Sequence, residues 1–160
     1  MALTAIFAAI ITIMTAYVFH IPVSLTGGYI HFGDGIIYIA ACLLPKPYAM
    51  AAGAIGGGLA DLLTAPMWTI PTVIVKMLIT LPFTSKQKNM INVRNITAAV
   101  LAYFISATGY YLAEIFVFSY EVAFITSYLG SLAQSVGSLA IFVIFGMALD
   151  KVQIKKRLSL

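Results

Sequence analysis

Residues 95–118 read NITAAVLAYFISATGYYLAEIFVF, a run of 24 residues in which Glu114 is the one acidic side chain and no Lys or Arg occurs. A helix that crosses a bilayer needs about 20 predominantly apolar residues, and this run supplies them without the alternation of apolar and polar residues found in barrel strands. Comparable apolar runs fill most of the chain. The sequence therefore predicts an all-α membrane protein.

The composition excludes other classes of protein. The chain has 160 residues, of which 62% are hydrophobic and only 9% are charged. In soluble domains roughly a quarter of the residues are charged, so this chain has too few charged residues to cover a water-exposed surface. A disordered chain is also excluded, because disordered segments have a much lower apolar content. The lone cysteine, Cys42, cannot form an internal disulfide. The net charge of +4 gives no indication of nucleic-acid binding.

Clusters of polar residues, Gly and Pro divide the chain into apolar spans. Six spans are predicted, near residues 2–20, 32–44, 48–64, 67–83, 95–118 and 122–149. Spans two to four are too short to cross the hydrocarbon core of about 30 Å alone and must pack against longer neighbours. A five-span alternative makes residues 32–64 a re-entrant pair. No Lys or Arg precedes Lys46, so the first run is interpreted as a retained helix rather than a secretory signal, and residues 1–160 as one membrane unit.

The basic residues follow the even-numbered spans. They are Lys46 after span two, Lys86, Lys88 and Arg94 after span four, and Lys151, Lys155, Lys156 and Arg157 after span six. The positive-inside rule makes that side cytoplasmic, so both termini are predicted to be cytoplasmic. The external side carries His20, His31, Asp34, Asp61 and Glu121 at or near its loops.

Lys76 is the most costly residue to place in a membrane, because it lies in the middle of span four. Asp34 and Asp61 lie near the outer ends of spans two and three, and either carboxylate could face it. Two interpretations remain open. Buried charges are normally paired, so these residues could form a structural ion pair. Alternatively, they hold a polar ligand.

Further polar and aromatic residues lie in the outward halves of the spans. Tyr110 and Glu114 are four residues apart and share a helix face, and Gln134 lies in span six. Trp68 suits stacking on a flat ligand and anchoring to headgroups equally well. Tyrosines in membrane proteins are more often interfacial anchors than ligand contacts. On residue type alone, anchoring is therefore favoured for Tyr110, Tyr111, Tyr120 and Tyr128. His20 and His31 lack the spacing of a zinc site and are interpreted as loop histidines.

Small residues indicate close contacts. Gly27 and Gly28 permit a tight turn in the first outward loop, which could fold over the bundle as a lid. Gly53 and Gly57 have the spacing of a helix-packing face and not the sequence of a phosphate loop. In span one, Ala5 and Ala9 begin a small-residue face that Thr12 and Ala16 are predicted to continue. Its partner is another span or another subunit.

Several of these segments together resemble the substrate-binding S components of energy-coupling factor vitamin transporters, in the branch around riboflavin and hydroxymethylpyrimidine uptake. The matching elements are Ile30-His31-Phe32-Gly33-Asp34-Gly35, Leu44-Pro45, Gly53 to Leu63 with Asp61, and Pro71-Thr72 with Lys76. The resemblance implies six helices with cytoplasmic termini, in the cell membrane. It also implies a vitamin bound near the external face, beneath the loop between spans one and two.

Carried onto this sequence, the resemblance implies a substrate-binding set of His31, Asp34, Trp68, Lys76, Tyr110, Glu114 and Gln134, with Asp61 in a polar network. Ala5 and Ala9 match the stripe that docks the transmembrane coupling subunit in that family. Two ATPase subunits use the ATP, and no cofactor is expected in this chain. Residues 1–160 would be a single transmembrane substrate-binding domain.

The function predicted first is capture of a small flat vitamin or precursor, such as hydroxymethylpyrimidine, pyridoxine or riboflavin, for an ATP-driven importer. A second hypothesis is a solitary proton-coupled carrier with Asp34, Asp61 and Glu114 as relay and Lys76 as counter-charge. An intramembrane enzyme is disfavoured, because no pair of nucleophile and base can be named. A scaffold function would not explain why Lys76 and Gln134 are present within apolar spans.

Overall fold

The computed structural model describes residues 1–18, 20–23, 28–116, 119 and 123–158. The predictions made for Gly27, Tyr120 and Glu121 fall outside these residues. Helices predominate, as the apolar runs predict. They are α1 (Ala2–Ala16), α2 (Asp34–Leu43), α3 (Lys46–Thr64), α4 (Thr69–Leu78), α5 (Val93–Phe116), α6 (Ala123–Lys151) and the short α7 (Ile154–Arg157), with a 3-10 turn at Pro66–Trp68.

The segment between α1 and α2 contains two strands, which the all-helical prediction missed. Strand β1 (Ile21–Val23) pairs antiparallel with β2 (Gly28–Ile30), and Pro22 lies opposite Tyr29. The β-branched and aromatic residues of these two segments favour extended backbone, and Pro22 is tolerated because both strands are edges. The loop therefore carries a short hairpin.

Prolines set several helix ends. Leu44 precedes Pro45 in an extended conformation (ψ 151°), so α2 stops one residue earlier. The predicted span 67–83 is shorter as a helix: α4 ends at Leu78, and turns lead to Pro82. The hydroxyl of Thr80 donates to the carbonyl of Met77 at 2.7 Å, which satisfies one of the carbonyls that the ending helix leaves open.

Length and composition allow two described helices to cross a membrane unaided. They are α5 and residues 124–151 of α6, while α1, α2 and residues 66–78 are shorter apolar helices. The 24 residues of α5 extend about 36 Å. Large apolar side chains are exposed along several helices, for example Ile74, Phe104, Leu129 and Val136. A water-soluble surface rarely carries such a continuous apolar area, whereas a lipid-facing surface does.

Helix α2 forms the centre of the bundle. All ten of its residues are buried, and it contacts α1, α3 and α6. Around it, α3 packs between α1 and α4, and α5 packs between α4 and α6. Tyr38 of α2 stacks on Phe83 with 4.9 Å between ring centroids, and Phe142 meets both rings edge-on. This arrangement brings the first turn of α2 close to the polar residues of α4 and α6.

Close packing of α3 on α4 depends on glycine, as the sequence predicts. A Cβ atom on Gly57 would lie 2.7 Å from Cγ of Lys76, and one on Gly53 would lie 2.8 Å from the Lys76 carbonyl oxygen. Real Cβ atoms do not approach other atoms this closely. The absence of a side chain at Gly53 and at Gly57 therefore leaves room for Lys76 and its methylene chain.

Replacing Gly57 by leucine should lower the free energy of unfolding by at least about 2 kcal/mol, because the added side chain must push α4 away or displace Lys76. Thermal unfolding in detergent measures the effect. Leu59→Phe adds bulk to an exposed position of the same helix and should change stability by less than about 0.5 kcal/mol. Equal stability of both variants would contradict the packing described here.

The small-residue face predicted on helix α1 divides into two parts. The hydroxyl of Thr12 lies 2.9 Å from the carbonyl oxygen of Ala8 and 3.1 Å from that of Gly56 in α3, and Ala16 is buried. This part of the face packs inside the bundle, so its neighbour is another span of the same chain. Ala5 and Ala9 are exposed, and their side of the helix is open to a further partner.

Candidate functional site

A cavity of about 350 Å³ lies where the hairpin meets the helices. Its walls come from β2, the last turns of α3, the first turns of α4, the C-terminal half of α5 and the N-terminal half of α6. Several lining residues have polar or aromatic side chains: Tyr29, His31, Asp61, Trp68, Thr72, Tyr110, Glu114, Thr126, Ser127, Ser131 and Gln134. Pockets for small organic ligands have this size and this mixture of apolar walls and a few polar groups.

Asp34 and Lys76 form an ion pair behind this cavity. Lys76 Nζ lies 2.7 Å from Asp34 Oδ1, and the two side chains are 0% and 1% exposed. Of the two carboxylates that the sequence offered to Lys76, the structure places Asp34 against it. Neither member of the pair lines the cavity, whereas the other five residues of the predicted substrate-binding set do. Lining residues therefore separate the pair from the cavity.

The segment before α2 positions Asp34. Phe32 and Gly33 lead directly into the helix, and the carboxylate sits in its first turn, where the helix dipole favours a negative charge. A Cβ atom on Gly35 would lie 2.7 Å from the carbonyl oxygen of Ser138. The small residue at position 35 therefore lets α2 approach α6 closely enough for Gln134 to reach Asp34.

Gln134 connects the ion pair to the cavity. Its Nε2 donates to Asp34 Oδ2 at 2.8 Å, while the residue also lines the cavity. Tyr110 makes a second connection, since Lys76 Nζ lies 5.5 Å from the centroid of its ring. That distance is within the range of cation–π attraction. Two lining residues thus contact the buried pair from the cavity side.

The aromatic wall consists of Trp68 and Tyr110. Their rings meet edge to face, with 5.9 Å between centroids, and Thr72 Oγ1 lies 3.0 Å from the Tyr110 hydroxyl. Trp68 is 5% exposed, so it is packed into the protein rather than extended toward headgroups. Of the two roles that the sequence left open for Trp68, the position in a cavity wall agrees with ligand stacking.

Carboxylates occupy two other sides of the cavity. The hydroxyl of Tyr29 donates to Asp61, which ties β2 to α3. Glu114 Oε2 accepts from Thr126 and from Ser127, whose Oγ lies at 2.7 Å. Both bonds use the same oxygen of Glu114. No described residue bonds to the other oxygen, which leaves it able to accept from a ligand.

His31 lies between β2 and α2, before the predicted second span, and is 4% exposed. Burial, aided by the positive charge of Lys76, lowers the pKa of His31 to about 3. Its Nδ1 accepts a hydrogen bond from the backbone N–H of Gly33 at 3.0 Å. The ring is therefore neutral, with its proton on Nε2, and it is not the solvated loop histidine that the sequence suggested.

Because His31 is neutral, ligand affinity should not change on its account between about pH 5 and about pH 8. The pKa of His31 is 6.5 when unperturbed, so unfolding takes up a proton below that value. The stability that His31 contributes is complete above about pH 6.5 and is lost as the pH falls toward 3. Thermal unfolding at several pH values checks this. In His31→Asn that part of the acid dependence should disappear, and a loss of affinity near pH 6 that His31→Asn abolishes would contradict the assignment.

Sequence reasoning missed several lining residues, among them Tyr29, Thr72, Ser127 and Ser131. A signal for two of them was present in the mostly apolar α6. Ser127, Ser131, Gln134 and Ser138 follow one another there at steps of four, three and four residues. That spacing puts them on one face of α6. All four are buried.

Comparisons with known proteins agree with this architecture. A family model described as "ECF-type riboflavin transporter, S component" matches residues 1–151. An uncharacterized protein in the gap 3' region of Pyrococcus woesei is 33% identical over 63 residues, which is 39% of this chain and 43% of that relative. The chain thus matches less than half the length of the curated relative. Because the family match covers nearly the whole chain, the protein belongs to the ECF-type riboflavin transporter S components, a family of membrane transport subunits and not of enzymes.

Proposed function

We propose that this chain is the substrate-specific subunit of an ATP-driven vitamin importer and that riboflavin is its ligand. The observation that carries the proposal is the cavity of about 350 Å³, walled by Trp68 and Tyr110 and by polar side chains of α5 and α6, in a chain that matches the family over residues 1–151. A flat ring suits the aromatic wall. The carboxylates and hydroxyls of the other walls suit the hydroxyl groups of a sugar-alcohol chain.

Riboflavin matches the volume of the cavity better than the two smaller candidate ligands do. The single rings of hydroxymethylpyrimidine and pyridoxine would leave much of this volume empty. The ligand and the cavity walls would then lose van der Waals contacts with each other. The tricyclic ring and ribityl chain of riboflavin use more of the space. The free oxygen of Glu114 and the hydroxyl of Ser131 are suitable partners for ribityl hydroxyls.

The proposed topology has six spans in the plasma membrane, with both termini in the cytoplasm and residues 1–160 as a single transmembrane substrate-binding domain. Lys155 Nζ donates to the carbonyls of Ser85 and Gln87, and Asp150 accepts from the N–H groups of Met90 and Ile91. These contacts gather the basic residues at one end of α5 and α6. The cavity lies at the other end, which supports an opening to the outside.

Import requires an energy source that the proposal places in partner subunits. We propose a transmembrane coupling subunit and two ATPases, so that this chain needs no cofactor of its own. Ala5 and Ala9 are exposed on α1, where their small side chains let another helix approach closely. They are the proposed docking residues.

Reconstitution in liposomes tests the proposal. Riboflavin uptake should require this chain, the coupling subunit, the ATPases and ATP together. Ala9→Trp should abolish that uptake while the isolated chain still binds riboflavin. Uptake by this chain alone, driven by a proton gradient, would support the solitary carrier and contradict the proposal.

The cavity should discriminate against phosphorylated flavin. Among the lining residues that the structure describes, none is Lys or Arg, and two are acidic. A phosphate group carries about −1.5 to −2 charges, and burying it without a cation is strongly unfavourable. Riboflavin should therefore bind at least about a hundredfold more tightly than its 5′-phosphate, measured by competition.

A neutral ester at the same hydroxyl separates charge from bulk. Riboflavin 5′-acetate should bind more tightly than the 5′-phosphate, because only the phosphate must lose its hydration without compensation. If riboflavin and its phosphate bind equally well, the assignment of these lining residues to the ligand site is wrong.

A further inference from the structure

The amide group of Gln134 has a fixed direction. Its Nε2 donates to Asp34 Oδ2 at 2.8 Å, and the other oxygen of that carboxylate lies 2.7 Å from Lys76 Nζ. Asp34 is 1% exposed and is held in its ionised form by the neighbouring ammonium group. An ionised carboxylate accepts hydrogen bonds and donates none. The nitrogen of the Gln134 amide must therefore face Asp34.

The opposite orientation of the amide is excluded by the same charges. A rotated amide would place Oε1 against Asp34 Oδ2, so that two acceptors would meet in a buried site without a proton between them. The rotation would also leave Asp34 with Lys76 as its only polar partner among those described. The buried ion pair thus determines which atom of Gln134 is free.

Among the described residues no hydrogen bond reaches the carbonyl oxygen of Gln134, and Gln134 is one of the residues that line the cavity. Of the groups nearby, Glu114 also offers an oxygen, since its hydrogen bonds to described residues use Oε2. The α5 and α6 walls therefore present acceptors to a ligand. A ligand in contact with Gln134 has to supply the donor.

We propose that Gln134 is a specificity-determining residue, which selects a ring that bears an N–H group on the edge facing α6. Asp34 and Lys76 are positioning residues for it. This inference rests on the proposed function. In riboflavin the matching donor is the imide N–H of the pyrimidine portion of the ring system. A ring with an acceptor at that edge is rejected, because its lone pair would face that of Gln134.

Riboflavin and 3-methylriboflavin, in which a methyl group replaces the imide hydrogen, provide the test. Both are titrated into the purified chain in detergent, and flavin fluorescence reports binding. The wild-type protein should prefer riboflavin by about tenfold to about a hundredfold, the range expected when a buried acceptor loses its donor. In Gln134→Met, a side chain of similar length that has no donor and only a weakly accepting sulfur, the preference should fall below about threefold.

Two further variants separate this role from a general effect on the cavity. Ser131→Ala changes another lining residue of α6 that no described hydrogen bond connects to Asp34. It removes a proposed partner of the ribityl chain, which both ligands share, so it should weaken both by the same factor and keep the wild-type preference. In the double variant Asp34→Asn/Lys76→Met the charges are gone and residue 34 is able to donate, so the Gln134 amide is free to rotate. This variant should bind riboflavin more weakly and lose the preference without any change to Gln134.

The outcomes distinguish this inference from the proposed function. If the wild-type protein binds riboflavin but does not distinguish it from the methylated ligand, the role of Gln134 is refuted and the proposed function stands. The same holds if Gln134→Met or the double variant keeps the preference. If the folded wild-type protein does not bind riboflavin, the proposed function and this inference fail together.

Discussion

Replacing Asp34 by alanine should lower the free energy of unfolding by about 3–5 kcal/mol, the cost of leaving one member of a buried ion pair without its partner. Lys76 is fully buried, and Asp34 is the carboxylate within ion-pair distance of it among the described residues. The methylene chain of Lys76 is packed against Gly57, so the ammonium group cannot move to the surface without displacing α3. Thermal unfolding of the ligand-free protein in detergent measures the loss.

The double variant Asp34→Leu/Lys76→Met is the control for this experiment. It removes both charges and keeps apolar volume, and such replacements of buried pairs are often neutral or stabilising. Its stability should therefore exceed that of Asp34→Ala by at least about 2 kcal/mol. If Asp34→Ala is as stable as the wild-type protein, Lys76 has another partner and the description of the pair is wrong.

Filling the cavity from Gly130 should abolish ligand binding without affecting the fold. Gly130 lines the cavity, and a Cβ atom built on it would meet no other atom within 4 Å. A phenylalanine there has room to enter the cavity, where its ring takes the space proposed for the flavin. Gly130→Phe should weaken riboflavin binding by at least about a hundredfold, while the melting temperature without ligand stays within about 2 °C of wild type.

Gly130→Ala is the matched control, because one methyl group in open space leaves the cavity nearly unchanged. It should bind riboflavin within about threefold of wild type. Full affinity in Gly130→Phe would show that the ligand binds elsewhere. A large fall in melting temperature would show that the space at Gly130 is not free.

The sequence predicts the helices well because prolines and apolar runs act locally. Pro45 and Pro47 mark the junction of α2 and α3, and each of the helices α1 to α6 overlaps one predicted span, with ends that differ by a few residues. The short spans two and four correspond to α2 and α4, which have ten residues each. The need for a partner of Lys76 is likewise predictable, since a buried charge must be compensated.

The rotation of each helix about its axis is what the sequence does not reveal. In a soluble protein the polar face points to water, but here the lipid side and the packed side are both apolar. The sequence therefore could not tell that the small-residue face of α1 packs inside the bundle at Thr12 and Ala16 and is exposed at Ala5 and Ala9. For the same reason it could not choose between Asp34 and Asp61 as the partner of Lys76. The hairpin escaped prediction because each of its strands has only three residues.

Riboflavin binding by the isolated chain, in the cavity beneath the hairpin, is measured by fluorescence titration of the purified protein. No partner subunit, ATP or ion gradient is added. We predict saturable quenching of flavin fluorescence with one ligand per chain and a submicromolar Kd in the wild-type protein and in Gly130→Ala, and its loss in Gly130→Phe. A folded wild-type protein that shows no saturable quenching, or quenching that Gly130→Phe leaves unchanged, would contradict riboflavin binding in this cavity.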